Sequence, residues 1–183
     1  DFVPVMEKIA PNLKTVRGFI VLSDHVPDTA LHPVYSYEEL LAKEPEAYDF
    51  PELDENLPAG MCFTSATTGN PKGVVYTQRS IYLHTSSLCF VNSMAIEEND
   101  CLLPVVPMFH VNAWGIPFAG VWMGAKMVLP GPRPRSEDLL RLIEGEKVTF
   151  AAAAVSIGID MLKVLKKTPY NISSLRALML GGQ

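Results

Sequence analysis

Apolar runs alternate with amphipathic segments along most of this chain. Residues 16–22 (VRGFIVL) predict a buried strand, and residues 23–34, with Pro27, Pro33 and several polar side chains, predict a loop. Residues 36–41 (SYEELL) predict a short helix capped by Ser36, with Glu39 three positions on. Residues 44–60, rich in proline and acids, predict a surface linker. From residue 61 the alternation becomes regular. Strands are expected at 61–64, 74–76, 101–106, 126–129, 148–153 and 176–180. Between them, Thr77 caps a helix to about residue 94, and residues 97–100 (EEND) make a solvated turn. Asn112 opens a helix to about residue 123, with Pro117 early enough to be tolerated or to kink it. A helix from Ser136 carries Glu137 and Asp138 at its positive end, and another covers 156–167. Strands alternating with helices predict an α/β fold with a mainly parallel sheet, whose ligands sit at the strand C-termini. No internal repeat or low-complexity segment interrupts it.

The 183 residues suit about one domain with a leading segment, residues 1–57, ahead of the regular part, 58–183. A net charge of −5 argues against nucleic acid as a partner, because backbone binding needs clustered Lys and Arg. No apolar run reaches the roughly 18 residues of a membrane span, and the first residues lack a signal-peptide pattern. Cys62, Cys89 and Cys101 are odd in number and far apart, so a disulfide framework or zinc site is not expected. They predict buried thiols in a reducing cytoplasm. Without an initiator Met, and ending on a strand followed by Gly181-Gly182, the chain reads as a piece of a larger protein.

One stretch carries the chemistry. Residues 63–73 (FTSATTGNPKG) place four hydroxyl side chains, a turn and Lys72 between two apolar runs. Thr64 and Ser65 end a strand; Thr67, Thr68 and Gly69 form a hydroxyl-rich turn. Gly69 can take positive φ and let backbone approach a phosphate, and successive N–H groups in such turns form anion nests. Lys72 supplies a mobile charge. The spacing fails the Walker A pattern, since Gly73 follows the lysine and no glycine precedes it. An ordinary polar hairpin with a solvated lysine is the competing interpretation of the same residues.

The string TSATTGNPKG closely resembles the phosphate-binding signature of the adenylate-forming superfamily: acyl-CoA synthetases, luciferases and peptide-synthetase adenylation domains. Ala66 replaces a glycine there. Residues 104–115 (PVVPMFHVNAWG) resemble the next core motif in its medium- and long-chain fatty acyl-CoA synthetase version. Residues 124–131 and 178–182 agree, whereas Ala154-Val155-Ser156 departs from the usual Val-Pro-Thr.

The resemblance implies the large N-terminal domain of such an enzyme. It would use ATP, Mg²⁺ and coenzyme A to convert a fatty acid to an acyl-adenylate and then a thioester. By motif position it assigns Thr64 to Mg²⁺ and phosphate. Thr67, Thr68, Gly69 and Lys72 would hold the β,γ-phosphates, with Ser65 beside them among the cofactor-binding residues. His110 falls beside the carboxylate and α-phosphate, and Val111 near the nucleotide. Trp114 would line the acyl tunnel, and Gly181 and Gly182 the adenine turn. His110 and Lys72 are the catalytic candidates. Trp114, Phe118 and Trp122 make an i, i+4, i+8 stripe, with the last two expected as packing. His25, His32 and His84 have no partner motif and read as surface or helix residues.

The Mg²⁺-binding Glu, the ribose-binding Asp and the C-terminal domain of the family would lie beyond Gln183, so this stretch alone is expected to be inactive. A homo-oligomer is compatible with the pattern. An aryl or short-chain acid ligase, or a truncated nucleotide-binding module without catalysis, remains open on sequence.

Overall fold

The computed structural model describes residues 2–23, 25–64 and 69–182. By its internal contacts the chain divides into two units, Asp1–Glu52 and Leu53–Gln183. The first holds a helix α1 (Val3–Ile9), two short parallel strands β1 (Phe19–Val21) and β2 (Val34–Ser36), and a helix α2 (Tyr37–Leu41). Helix α1 is absent from the sequence-based expectation. Pro4 near its start fits the first turn, where an N–H would be unpaired anyway. The strand expected at 16–22 shrinks to three residues and is not buried: Ile20 and Leu22 are exposed. Ser36 caps α2 as expected, its Oγ accepting from Glu39 N at 3.3 Å.

The second unit is built on four parallel strands in the order β6-β5-β7-β8: β5 (Cys101–Pro104), β6 (Lys126–Met127), β7 (Phe150–Ala154) and β8 (Ala177–Gly181). Side chains alternate across a strand, so β5 and β7 feed two cores at once. Leu102, Phe150 and Ala152 turn to one core with Leu88 of α3 (Gln78–Cys89) and Ile116 and Ala119 of α5 (Ile116–Met123). Cys101, Leu103 and Ala151 turn to the other. There they meet Leu139, Leu140 and Ile143 of α6 (Ser136–Glu146) and Met161 of α7 (Val155–Leu165). Burial on both faces explains why these strands read as unbroken apolar runs. The mixed α/β class with a mainly parallel main sheet agrees with the sequence pattern.

Two local expectations need correction. Strands β3 (Pro58–Thr64) and β4 (Lys72–Thr77) lie outside the parallel sheet and pair antiparallel as a hairpin, with Thr64 opposite Lys72 and Phe63 opposite Gly73. A connection this short permits only antiparallel pairing, since a parallel crossover needs a dozen or more residues. The helix expected from Asn112 is split. Its start, α4 (Val111–Trp114), is one left-handed turn: φ is +49° at Val111, +51° at Asn112, +49° at Ala113 and +57° at Trp114. Gly115 at φ +77° follows, and only then does the right-handed α5 begin. The aromatic stripe is therefore broken after Trp114.

The turn expected at 97–100 is solvated at residues 97–99, but Asp100 is 4% exposed. Its carboxylate accepts Arg176 Nε at 2.9 Å and Nη2 at 2.6 Å, Thr149 Oγ1 at 2.5 Å and Glu97 N at 3.0 Å. Burial alone pushes the Asp100 carboxyl up. The hydrogen bonds from Arg176, Thr149 and Glu97, with the Arg176 charge, outweigh it and hold the group below the ordinary carboxylate range. The same partnership raises Arg176.

Candidate functional site

In open parallel sheets the ligand crevice forms beyond the carboxyl ends of the strands, where chains leave the sheet in different directions. A cavity of about 460 Å³ lies in that place. Val105 and Val106 line it after β5, Ala154 at the end of β7, and Gly181 and Gly182 at the end of β8. His110 and Trp114, on the segment leaving β5, complete it. Four residues singled out from the sequence thus share one cavity. Ala154, in the segment that departs from the usual motif, forms part of its wall.

The left-handed turn brings His110 and Trp114 to one side. A right-handed helix would have done so through i, i+4 spacing; here a reversed turn closed by bonds from Ala113 N to His110 O and Gly115 N to Asn112 O does it instead. Each non-glycine residue in this region costs roughly 1–2 kcal/mol, and strain of this kind collects at functional sites. Ala113 is fully buried, which anchors the turn in the core. Trp114 lies against the backbone of Gly181: a Cβ built there would stand 2.9 Å from the indole Cη2. Glycine at 181 lets an aromatic plane approach the strand end.

Val111 is not in that cavity. With Asn112, Gly115 and Phe118 it lines a second, mostly apolar space of about 240 Å³ on the other side of the turn. Phe118 is a cavity wall and 40% exposed, which corrects its expected role as packing. Trp122 pairs with the ring of Tyr82 at 4.9 Å between centroids.

The hairpin carries the remaining candidates. Directly opposed residues of an antiparallel pair project to the same face, so Thr64 and Lys72 share one face at the mouth of the connecting loop. Both are exposed. Gly69 takes φ +109°, a conformation reserved for glycine, as its turn role requires. Ser65, Ala66, Thr67 and Thr68 lie outside the described residues. Two residues before Thr64, Cys62 donates through Sγ to Asn112 Oδ1 at 3.2 Å and so ties the hairpin to the turn. The sequence presents Cys62 only as a small buried residue.

His84 is the residue the sequence did not signal. Its Nε2 lies 3.1 Å from the Trp114 carbonyl. Among the described residues no group of three or more His, Cys, Asp or Glu could hold a metal ion. Thr64 would contribute a single neutral oxygen to Mg²⁺, which ordinarily takes one or two carboxylates and phosphate oxygens. The described residues do not by themselves make a Mg²⁺ site. No helix among them is long and apolar enough to cross a membrane, and Cys62, Cys89 and Cys101 are free thiols.

The chain is an α/β protein whose parallel sheet carries a crevice at its strand ends, walled by an imidazole and an indole. A family model described as "AMP-binding enzyme" matches residues 3–183, and the chain belongs to that family. It is 41% identical over 182 residues to a long-chain-fatty-acid–CoA ligase of Thermus thermophilus, covering 100% of this chain and 32% of that protein. It is 37% identical to a 3-methylmercaptopropionyl-CoA ligase of Ruegeria pomeroyi, covering 99% and 34% respectively. The chain thus spans about a third of the length of these relatives. An anthranilate CoA ligase, AuaEII, solved with anthranoyl-AMP, superposes with a TM-score of 0.82 at 20% identity. That match covers 100% of this chain and 35% of the other, and shares the fold.

Proposed function

We propose that the full-length protein is an acid–thiol ligase that activates a medium- or long-chain fatty acid. One oxygen of the acid carboxylate attacks the α-phosphorus of ATP. The bond from that phosphorus to the bridging oxygen breaks, and pyrophosphate leaves. The thiol of coenzyme A then attacks the acyl carbon, releasing AMP and forming the thioester. The single cavity that gathers His110, Trp114, Gly181 and Gly182 at the strand ends carries this proposal.

Two anions must meet, so positive charge and donors aimed at the reacting oxygens lower the barrier most. The imidazole N–H of His110 holds and orients the acid carboxylate. Lys72 and the Thr64 hydroxyl, sharing a face at the hairpin mouth, hold the departing phosphates with Gly69 and with Ser65, Thr67 and Thr68 of the loop. Gly181 and Gly182 give the adenine a flat backbone surface, and Trp114 walls the space between nucleotide and acid. Val111 offers backbone from the far side of the turn. The apolar cavity beside Val111 and Phe118 suits a hydrocarbon chain. Mg²⁺ would neutralise triphosphate charge, with its carboxylate ligand drawn from outside these residues. In this proposal residues 1–57 lead into the nucleotide-binding part, 58–183; the protein works in a reducing cytoplasm and is open to homo-oligomerisation.

Pyrophosphate release by the full-length protein across acids of increasing chain length tests this. Activity rising with hydrocarbon length is expected. A preference for 3-methylmercaptopropionate, which the 37% identity to its CoA ligase makes worth including, or for aryl acids would replace the fatty substrate. Silence with every acid would leave a non-catalytic nucleotide-binding module.

A further inference from the structure

The turn α4 is a wall with two faces. His110 and Trp114 line the strand-end cavity on one side; Val111, Asn112 and Gly115 line the apolar cavity on the other. Four consecutive left-handed residues, one of them β-branched, do not hold this shape unaided. Strained backbone persists only where its surroundings over-determine it. The bonds within the turn and the buried Ala113 fix its start and middle. Its last carbonyl, at Trp114, is held from outside by His84 of α3, at 3.1 Å.

His84 also lines the apolar cavity. Its ring packs against Gly115: a Cβ built on that glycine would lie 2.6 Å from His84 Cδ2. A carbonyl oxygen can only accept, so Nε2 must carry the proton. The neutral Nε2–H tautomer and the imidazolium both meet that demand. One side chain therefore touches the apolar space and fixes the backbone of the residue facing the nucleotide side.

We propose that His84 is a positioning residue for the acid-binding step: its Nε2–H pins the Trp114 carbonyl and keeps the wall between the two cavities in one conformation. The kinetic part rests on the ligase reading; the placement of Trp114 does not. The test uses the full-length protein with H84A, H84F and H84Q. Phenylalanine keeps the ring against Gly115 without a donor, and the glutamine amide restores a donor at nearly the same reach. The fluorescence of Trp114 is isolated by subtracting, for each variant, the spectrum of its W114F counterpart.

H84A and H84F are expected to red-shift the Trp114 emission. They should raise KM for the acid about five- to tenfold, the worth of one such hydrogen bond, with KM for ATP changing less than about twofold. H84Q is expected to restore both. Should H84A not fold, H84F carries the same comparison. An unmoved Trp114 spectrum in H84F overturns the proposal, since ring packing would then hold the turn, and so does a shifted spectrum that H84Q fails to restore, since a donor at that place would then not be what holds it. A wild-type protein silent with every acid defeats the ligase reading and leaves the fluorescence to decide the role of His84.

Discussion

The indole of Trp114 and the backbone of Gly181 approach so closely that a side chain at 181 would have to displace the ring: the built Cβ meets Cη2 at 2.9 Å and Cζ2 at 3.2 Å. Gly181 lies in β8 and has no positive φ, so space, not backbone strain, requires the glycine. Gly181→Ala should push Trp114 aside and, on the ligase reading, raise KM for ATP about tenfold, an overpacking cost in the 1–3 kcal/mol range. Initial rates at varied ATP check this, and an unchanged KM beside a shifted Trp114 emission would show that the ring yields without cost to the site.

Gly115 and Gly124 form a matched pair for separating strain from contact. Both sit near φ +70°, at +77° and +70°. An added Cβ meets the His84 ring at 2.6 Å in the first case and nothing within 4 Å in the second. Gly124→Ala should cost about 1 kcal/mol from backbone alone, and Gly115→Ala about 2–4 kcal/mol once the clash is added. Denaturant unfolding of the two variants measures the difference.

The Asp100–Arg176 pair predicts a pH-dependent share of stability. Asp100 has a depressed folded pKa, so its contribution is complete above the unfolded value of about 3.9 and is lost as pH falls through the folded one. Arg176→Ala strands a buried carboxylate and should cost about 3–5 kcal/mol near pH 7. The gap between wild type and variant should narrow near pH 3. It should not vanish, because Arg176 also donates to the Met94 and Ala95 carbonyls. Urea titrations at the two pH values give the gap, and an equal gap at both would refute the assignment.

Lys72 stands opposite Thr64 at the loop mouth with its side chain exposed. Lys72→Met removes the charge but keeps most of the stem. If Lys72 holds the departing phosphates, kcat should fall at least about a hundredfold with unfolding free energy nearly unchanged. Rates of pyrophosphate release alongside a melting curve distinguish this from a solvated lysine, whose loss would leave kcat intact.

Much of the parallel sheet was legible because burial on both faces writes its strands as apolar runs, as at Cys101-Leu102-Leu103 and Phe150-Ala151-Ala152. The caps Ser36 and Thr77 were legible because a side chain three residues from its target acts locally; both accept from the expected backbone N–H. The left-handed turn was not. Asn112 and Gly115 tolerate positive φ, but Val111, Ala113 and Trp114 argue for an ordinary helix, and only burial of Ala113 and external bonds reverse the hand. Asp100 looked solvated within EEND because its partner stands 76 residues away. His84 lacked a motif for the same reason: its acceptor is a backbone carbonyl 30 residues on.

The amino-acid sequence by itself determined the fold class, the hydroxyl- and lysine-bearing loop as a candidate, and the short list of His110, Lys72, Trp114, Gly181 and Gly182. These depend on periodicity and on residue types within a few positions of each other. Tertiary structure alone decided that four of those residues border one cavity and that the loop closes an antiparallel hairpin tied to the turn through Cys62 and Asn112. It also decided that His84 holds the wall between two spaces. Such relations join residues far apart in the chain, where propensity has no reach and packing selects the conformation.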